Sequence, residues 1–174
     1  MASSFASPRR RRVKVEFPQT LRARLRKTLS RAGRNEIGGV LMAEQIDAGY
    51  FRLVDFTVDE VMGGAAHFVR SVDHHHRALS EFYERTSSDF ARFNYLGEWH
   101  SHPNHLPIPS PTDVASMRTL VNGERDIPFA LLLIVRCAWW RRMTMSATLF
   151  QQGQMPENVE VVTMKGAALD QAHG

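Results

Sequence analysis

The sequence predicts an α/β fold of the α+β kind, a mixed sheet flanked by helices in a single domain. Three observations carry that expectation. Apolar runs of strand length and segments of helical period mix along the chain without strict alternation. The length, 174 residues, suits one domain. Hydrophobic residues make up 43% and charged residues 23%, which is enough apolar surface for a core and unlike a disordered chain.

The elements follow in order. Residues 1–12 are Ser/Ala-rich and end in Arg9 to Arg12, a disordered basic tail ahead of a domain over 13–164. Pro18 to Arg31 reads as an amphipathic helix, with Leu21, Leu25 and Leu29 at four-residue spacing and Gly33 as its stop. Ile37 to Met42 is a short apolar run broken by Gly38-Gly39, a pair that suggests a bulge or close backbone approach. Tyr50 to Val61 alternates as a strand. Met62 to Ala66 reads as a turn, and His67 to Val72 as a further strand.

Asp73 to Asp89 is expected to be helical, with Asp73 as cap and Leu79, Phe82 and Tyr83 on one face. Tyr95 to Trp99 is a strand that runs into His100. Four prolines from Pro103 to Pro111 make a rigid non-helical loop. Ser110-Pro111-Thr112-Asp113 opens a helix, with Ser at the cap, Pro first and an acid third; Val114, Met117, Leu120 and Val121 face inward, and Asn122-Gly123 ends it. Pro128 to Arg136 is a near-continuous apolar strand. Trp139 to Phe150 returns antiparallel to it, and Asn158 to Met164 adds an edge strand. Residues 165–174 form an Ala/Gly-rich flexible tail.

No apolar run is long enough to span a bilayer. The charged stretch Val13 to Phe17 does not fit a Sec or twin-arginine signal; a transit peptide stays open, and a soluble cytoplasmic protein is the default expectation. The single cysteine, Cys137, excludes an intrachain disulfide and reads as a buried small hydrophobe. Net charge is +4, with the excess concentrated between Arg9 and Arg34. A solvated helix face behind a tail accounts for it, and no aromatic residues interleave to make a nucleic-acid stacking platform.

The chemistry gathers at His100-Ser101-His102, Ser110 and Asp113. Residues i and i+2 of a strand share a face, so His100 and His102 aim at one point. Asp113, at the start of the next helix, can bring a carboxylate to the same place. Two imidazoles and a carboxylate with water as fourth ligand make a catalytic zinc (Zn2+) site. Hydrolysis also needs a general base outside the ligand set, for which Glu36 is the candidate, and an oxyanion donor, for which the Ser110 hydroxyl is the candidate. Glu98 shares the strand face of His100 and is a rival base; Glu44 is a weaker one. His74-His75-His76 reads as a polar first helical turn rather than a second metal site, His105 as a residue lining the cleft, and Trp139-Trp140 as core and sheet surface.

At these residues the chain resembles the JAB/MPN metalloenzymes, the JAMM isopeptidases. His100-Ser101-His102, seven residues, Ser110, two residues and Asp113 match the family pattern position for position, and Glu36-Ile37-Gly38-Gly39-Val40 matches its upstream Glu segment. The chain departs from that segment at Leu41-Met42-Ala43, where members often have Leu-Leu-Gly. The resemblance implies a single MPN/JAB domain with a curved mixed sheet, zinc held by His100, His102 and Asp113, Glu36 as acid/base and Ser110 steadying the oxyanion.

It further implies cleavage of peptide or isopeptide bonds after the C-terminal tail of a ubiquitin-like protein. That tail would add as a strand along an edge, here Val61 to Ser71. Compact bacterial members accompany E1- and E2-like enzymes in antiphage systems, so a deconjugating or precursor-processing peptidase is the expectation, with no membrane or nucleic-acid partner. Trimming a sulfur-carrier protein, a non-catalytic MPN scaffold and a RadC-like nucleic-acid-associated protein are the alternatives.

Overall fold

The computed structural model describes residues 13–59, 72–123, 127–137 and 142–163; for residues 72–74 it describes only the backbone. In order they form β1 (Lys14–Glu16), α1 (Gln19–Ala32), β2 (Gly38–Asp47), β3 (Tyr50–Phe56), α2 (Val72–Arg85), β4 (Phe93–Ser101), α3 (Pro111–Asn122), β5 (Phe129–Cys137), β6 (Met143–Gln151) and β7 (Glu157–Val162). The fold is α+β, and the sheet is mixed as expected. β4 runs parallel to β5, and β1 runs parallel to both β3 and β7, while the other pairs are antiparallel. The sheet curls on itself into a closed barrel in the order β1-β3-β2-β4-β5-β6-β7.

Closure overturns one expectation. The C-terminal strand is not an edge, because β7 pairs with β6 on one side and β1 on the other. β1 is the closing staple, and its three residues each align with one on β3 and one on β7. Three residues are too few to show a period, so nothing in the local pattern marks this strand. Its Glu16 is buried and accepts from the Tyr50 hydroxyl at 2.8 Å and Arg52 Nε at 3.0 Å. Burial raises the pKa of that carboxyl, but Arg52 and Tyr50 outweigh it and the net shift is downward.

β3 stops at Phe56 rather than Val61. At Thr57 the side-chain Oγ1, not a backbone carbonyl, takes the Val40 N–H at 2.9 Å, and the Thr57 carbonyl accepts from Trp99 Nε1 at 2.8 Å. The Thr57 N–H still donates to the Val40 carbonyl at 3.0 Å, but the regular ladder ends there, with one bridge beyond it between Gly38 and Asp59. Gly39 is required at this point, since a Cβ on it would lie 2.2 Å from the Thr57 carbonyl oxygen. The expected turn at Met62 to Ala66, and the strand from His67 apart from Val72, lie outside the described residues; Val72 itself opens α2.

α2 includes Val72, so Asp73 sits within the helix instead of capping it. It ends at Arg85, not Asp89, because Ser87 and Ser88 turn left-handed (φ 56° and 54°). α1 begins at Gln19 with Pro18 in the extended cap position, and Gly33 (φ 63°) closes it, donating its N–H to the Leu29 carbonyl.

Alternate residues of the strands feed two cores. Leu21, Leu25 and Leu29 of α1 pack with Trp99, Leu131, Leu133 and Val135. Met117 and Val121 of α3 pack with Ala130, Leu132 and Ile134. Cys137 is half-buried at the margin of the α1 core. No helix among the described residues is long and apolar enough to cross a membrane.

Candidate metal centre

Three polar side chains gather where β4 ends and α3 begins. His100 is the penultimate residue of β4, and His102 follows the strand, still extended by its N–H bond to the Val135 carbonyl at 2.8 Å. The Pro-rich loop turns the chain back, and the hydroxyl of Ser146 on β6 ties it down at the Pro107 carbonyl. Asp113 arrives on the first turn of α3.

That turn is locked by a capping box. The Ser110 N–H donates to Asp113 Oδ2 at 2.7 Å, and the Asp113 N–H donates to Ser110 Oγ at 3.2 Å. The cap therefore fixes both side chains, and the local capping role and the site role coincide.

One ligand atom from each of His100, His102 and Asp113 lies within 4.8 Å of the others. The two Nε2 atoms are 3.0 Å apart, His100 Nε2 is 3.6 Å from Asp113 Oδ1, and His102 Nε2 is 4.0 Å from Asp113 Oδ2. The edge of a tetrahedron with zinc–ligand bonds of about 2.0–2.1 Å is about 3.3 Å, and these three separations, taken through either carboxylate oxygen of Asp113, bracket it. His100 and Asp113 are buried and His102 half-buried. His102 Nδ1 lies 2.9 Å from the Leu106 carbonyl, which only accepts. Nδ1 therefore carries the proton, leaving the Nε2 lone pair for a cation.

Burial pushes the Asp113 carboxyl up, but bonds from His100 and Ser110 outweigh it and hold it at about 2. A neutral imidazole lone pair and a fixed anion are the donor set a divalent zinc ion takes, and the residues fit it.

The other candidates are sorted by the same geometry. Glu36 lies two residues before the start of β2 and is half-buried. Gly38 stands opposite His100, and Ile37 exchanges bonds with Ser101, donating to its Oγ at 3.0 Å and accepting its N–H at 2.8 Å. Continuing that register would set Glu36 opposite His102. Glu36 is not part of the three-residue ligand group.

Glu98 shares the strand face of His100; burial pushes its carboxyl up to about 7, against the pull of His100. Glu44 is engaged elsewhere, with Arg92 Nε at 2.8 Å and Arg52 Nη1 at 3.6 Å. His105 is exposed, its ring 6.3 Å from that of His102. Trp139-Trp140 and the Val61 to Ser71 edge lie outside the described residues.

One polar cluster was not anticipated. His75 is not solvated but buried, with Nδ1 3.1 Å from Thr57 Oγ1 and Nε2 4.0 Å from Asp59 Oδ2. Its spacing to Leu79 and Phe82 (i, i+4, i+7) places it on the apolar face of α2, and that was the available signal.

The profile of prokaryotic homologs of the JAB domain matches residues 18–148. A protein of Vibrio cholerae serotype O1 (strain ATCC 39315 / El Tor Inaba N16961), named CD-NTase/cGAS isopeptidase, is 39% identical over 67 residues. That stretch is 38% of this chain and 40% of the relative, so less than half of either is matched. The solution structure of protein DSY2949 from Desulfitobacterium hafniense superposes with a TM-score of 0.63 over 87% of this chain and 94% of that one. At 17% identity the likeness is one of fold.

Proposed function

Because the chain belongs to the family of prokaryotic JAB-domain proteins, we propose that it is a zinc-dependent isopeptidase or peptidase acting after the C-terminal tail of a ubiquitin-like protein. The observation that carries this reading is the convergence of His100 and Asp113, both buried, with the half-buried His102 at the mouth of the Pro-rich loop. Those three side chains would hold the ion. Bound zinc supplies Lewis acidity, lowering the pKa of water and polarising a carbonyl.

The rest is done by the chain's own groups. Glu36 takes the proton from the attacking water and returns it to the departing amine. The Ser110 oxygen already accepts the Asp113 N–H, so its hydroxyl proton is available to the substrate carbonyl oxygen as negative charge develops there. The capping box holds that hydroxyl in place before substrate arrives, so no reorganisation is needed at the moment of reaction. The substrate tail binds extended, by strand addition, and presents its scissile bond to the candidate metal centre.

The matched Vibrio relative carries isopeptidase in its name, which supports an isopeptide between two proteins as the bond class. The conjugate would then be the product of E1- and E2-like enzymes, in an antiphage defence system. The test is direct. Purified protein is incubated with fusions and lysine conjugates of candidate ubiquitin-like proteins, and its metal content is measured by mass spectrometry. Glu36→Ala keeps zinc and loses cleavage, whereas His100→Ala loses both. Full activity in Glu36→Ala moves the base role to Glu98, and a zinc-loaded wild type that cleaves none of the substrates overturns the proposal.

A further inference from the structure

A cavity of ≈ 580 Å³ lies on the α1 side of the sheet, lined by Arg26, Lys27 and Arg31 of the helix and by Ser101, Pro103 and Cys137. Such a volume is that of a ligand pocket. Its charge is one-sided. α1 has no acidic residue, and no carboxylate lines the cavity among the described residues. Arg24, one turn away, shows what compensation looks like, since it pairs with Asp55 and lies 4.0 Å over the Phe56 ring. Arg26, Lys27 and Arg31 have no such partner among the described residues. Arg26 Nε is moreover buried with no hydrogen-bond acceptor among them. A buried guanidinium N–H left unpaired is costly, and an anion entering the cavity would relieve it.

We infer that this cavity is a docking site for an acidic polypeptide segment, a short stretch rich in Asp and Glu. Lys27 and Arg31, at i and i+4, are neighbours about 5–6 Å apart on the helix surface. Alternate side chains of an extended peptide are about 7 Å apart, so two acids at i and i+2 match them. Leu29, Pro103 and Cys137 also line it, which suits aliphatic neighbours of the acids. No aromatic residue lines it among those described, so the stacking that single-stranded nucleic acid relies on is not provided. Ser101 and Pro103 flank His102, so a docked segment would sit at the metal end of β4, on the opposite sheet face. Binding there does not depend on hydrolysis, and the test is made without zinc.

Chelator-treated protein is titrated into a fluorescein-labelled peptide of alternating Glu and Leu, followed by anisotropy at low and moderate salt. Arg26→Ser/Lys27→Ser/Arg31→Ser is expected to weaken binding at least about tenfold, as loss of three partly exposed charges implies. Arg34→Ser, outside the cavity, leaves it unchanged. Lys27→Glu, a single exposed position, repeats the loss in milder form and covers the case in which the triple variant unfolds. No binding by wild type, or equal loss in Arg34→Ser, overturns the inference. So does tighter binding of a labelled oligothymidylate with the same variant dependence, which would make the site one for nucleic acid.

Discussion

The two helices on opposite faces of the sheet are held by different physics. α1 has no side-chain cap and no acid in its first turn. It stays in place because Leu21, Leu25 and Leu29 bury a stripe against the barrel. α3 has a full capping box, and its third residue is itself buried at the candidate metal centre. A leucine stripe tolerates small sliding, because apolar contact has no direction. A capping box does not, because its two bonds fix the first turn to a fraction of an ångström. The helix that presents a ligand is pinned by directional bonds, and the helix that supplies stability is pinned by area.

Changes confined to one face should therefore separate chemistry from stability. The largest effect is expected for Asp113→Ala, which removes a ligand and half the cap together. Bound zinc, assayed by mass spectrometry, should disappear and cleavage fall by about three orders of magnitude, the several kcal/mol that a metal supplies. The fold should lose only about 1 kcal/mol. Leu25→Ala is the mirror case. It should cost about 2–5 kcal/mol in denaturant titration while the remaining folded protein keeps its zinc. Loss of zinc in that variant would mean that the two faces are coupled, and the contrast drawn here would fail.

Ser110→Asp divides α3's two duties. Asp caps as well as Ser, so the melting temperature should hold, but it has no proton to donate, and kcat should fall about 10²-fold. An unchanged kcat would reduce Ser110 to a cap. The smallest effect concerns Asp55, which links α1 to α2 through Arg24 and Arg85. Burial raises its pKa, but Arg24, the Phe56 N–H and Arg85 outweigh that, and the net shift is downward. A carboxyl depressed in the folded state stabilises at pH values above its unfolded pKa of about 4, and that stability is lost as pH falls through the folded value. Between pH 6 and 3 the wild type should lose up to about 1 kcal/mol more than Asp55→Asn, as for a partly exposed ion pair.

Much of this was legible in the residues, for local reasons. The four-residue leucine spacing marked α1, and Ser110-Pro111-Thr112-Asp113 marked the start of α3 and the capping box with it. His100 and His102 were legible as a pair because period two needs only one strand. Glu36 could be named as a candidate from the glycines that follow it and from a family pattern, but not placed, since its position depends on β2 lying beside β4 in a given register. The His74-His75-His76 triplet does lie at the start of α2, but the burial of His75 was not legible until a helix face was assigned. β1 escaped notice altogether, and with it the closure of the barrel.

What the amino-acid order by itself determined were the features decided within one turn or one strand: helix caps, apolar stripes and the spacing of the candidate metal-binding side chains. Only the tertiary structure decided which strands meet, that Lys14 pairs beside Glu160, and that Gly38 stands opposite His100. Those pairings join residues far apart along the chain. Their free energy comes from backbone bonds and shared burial that no local window contains.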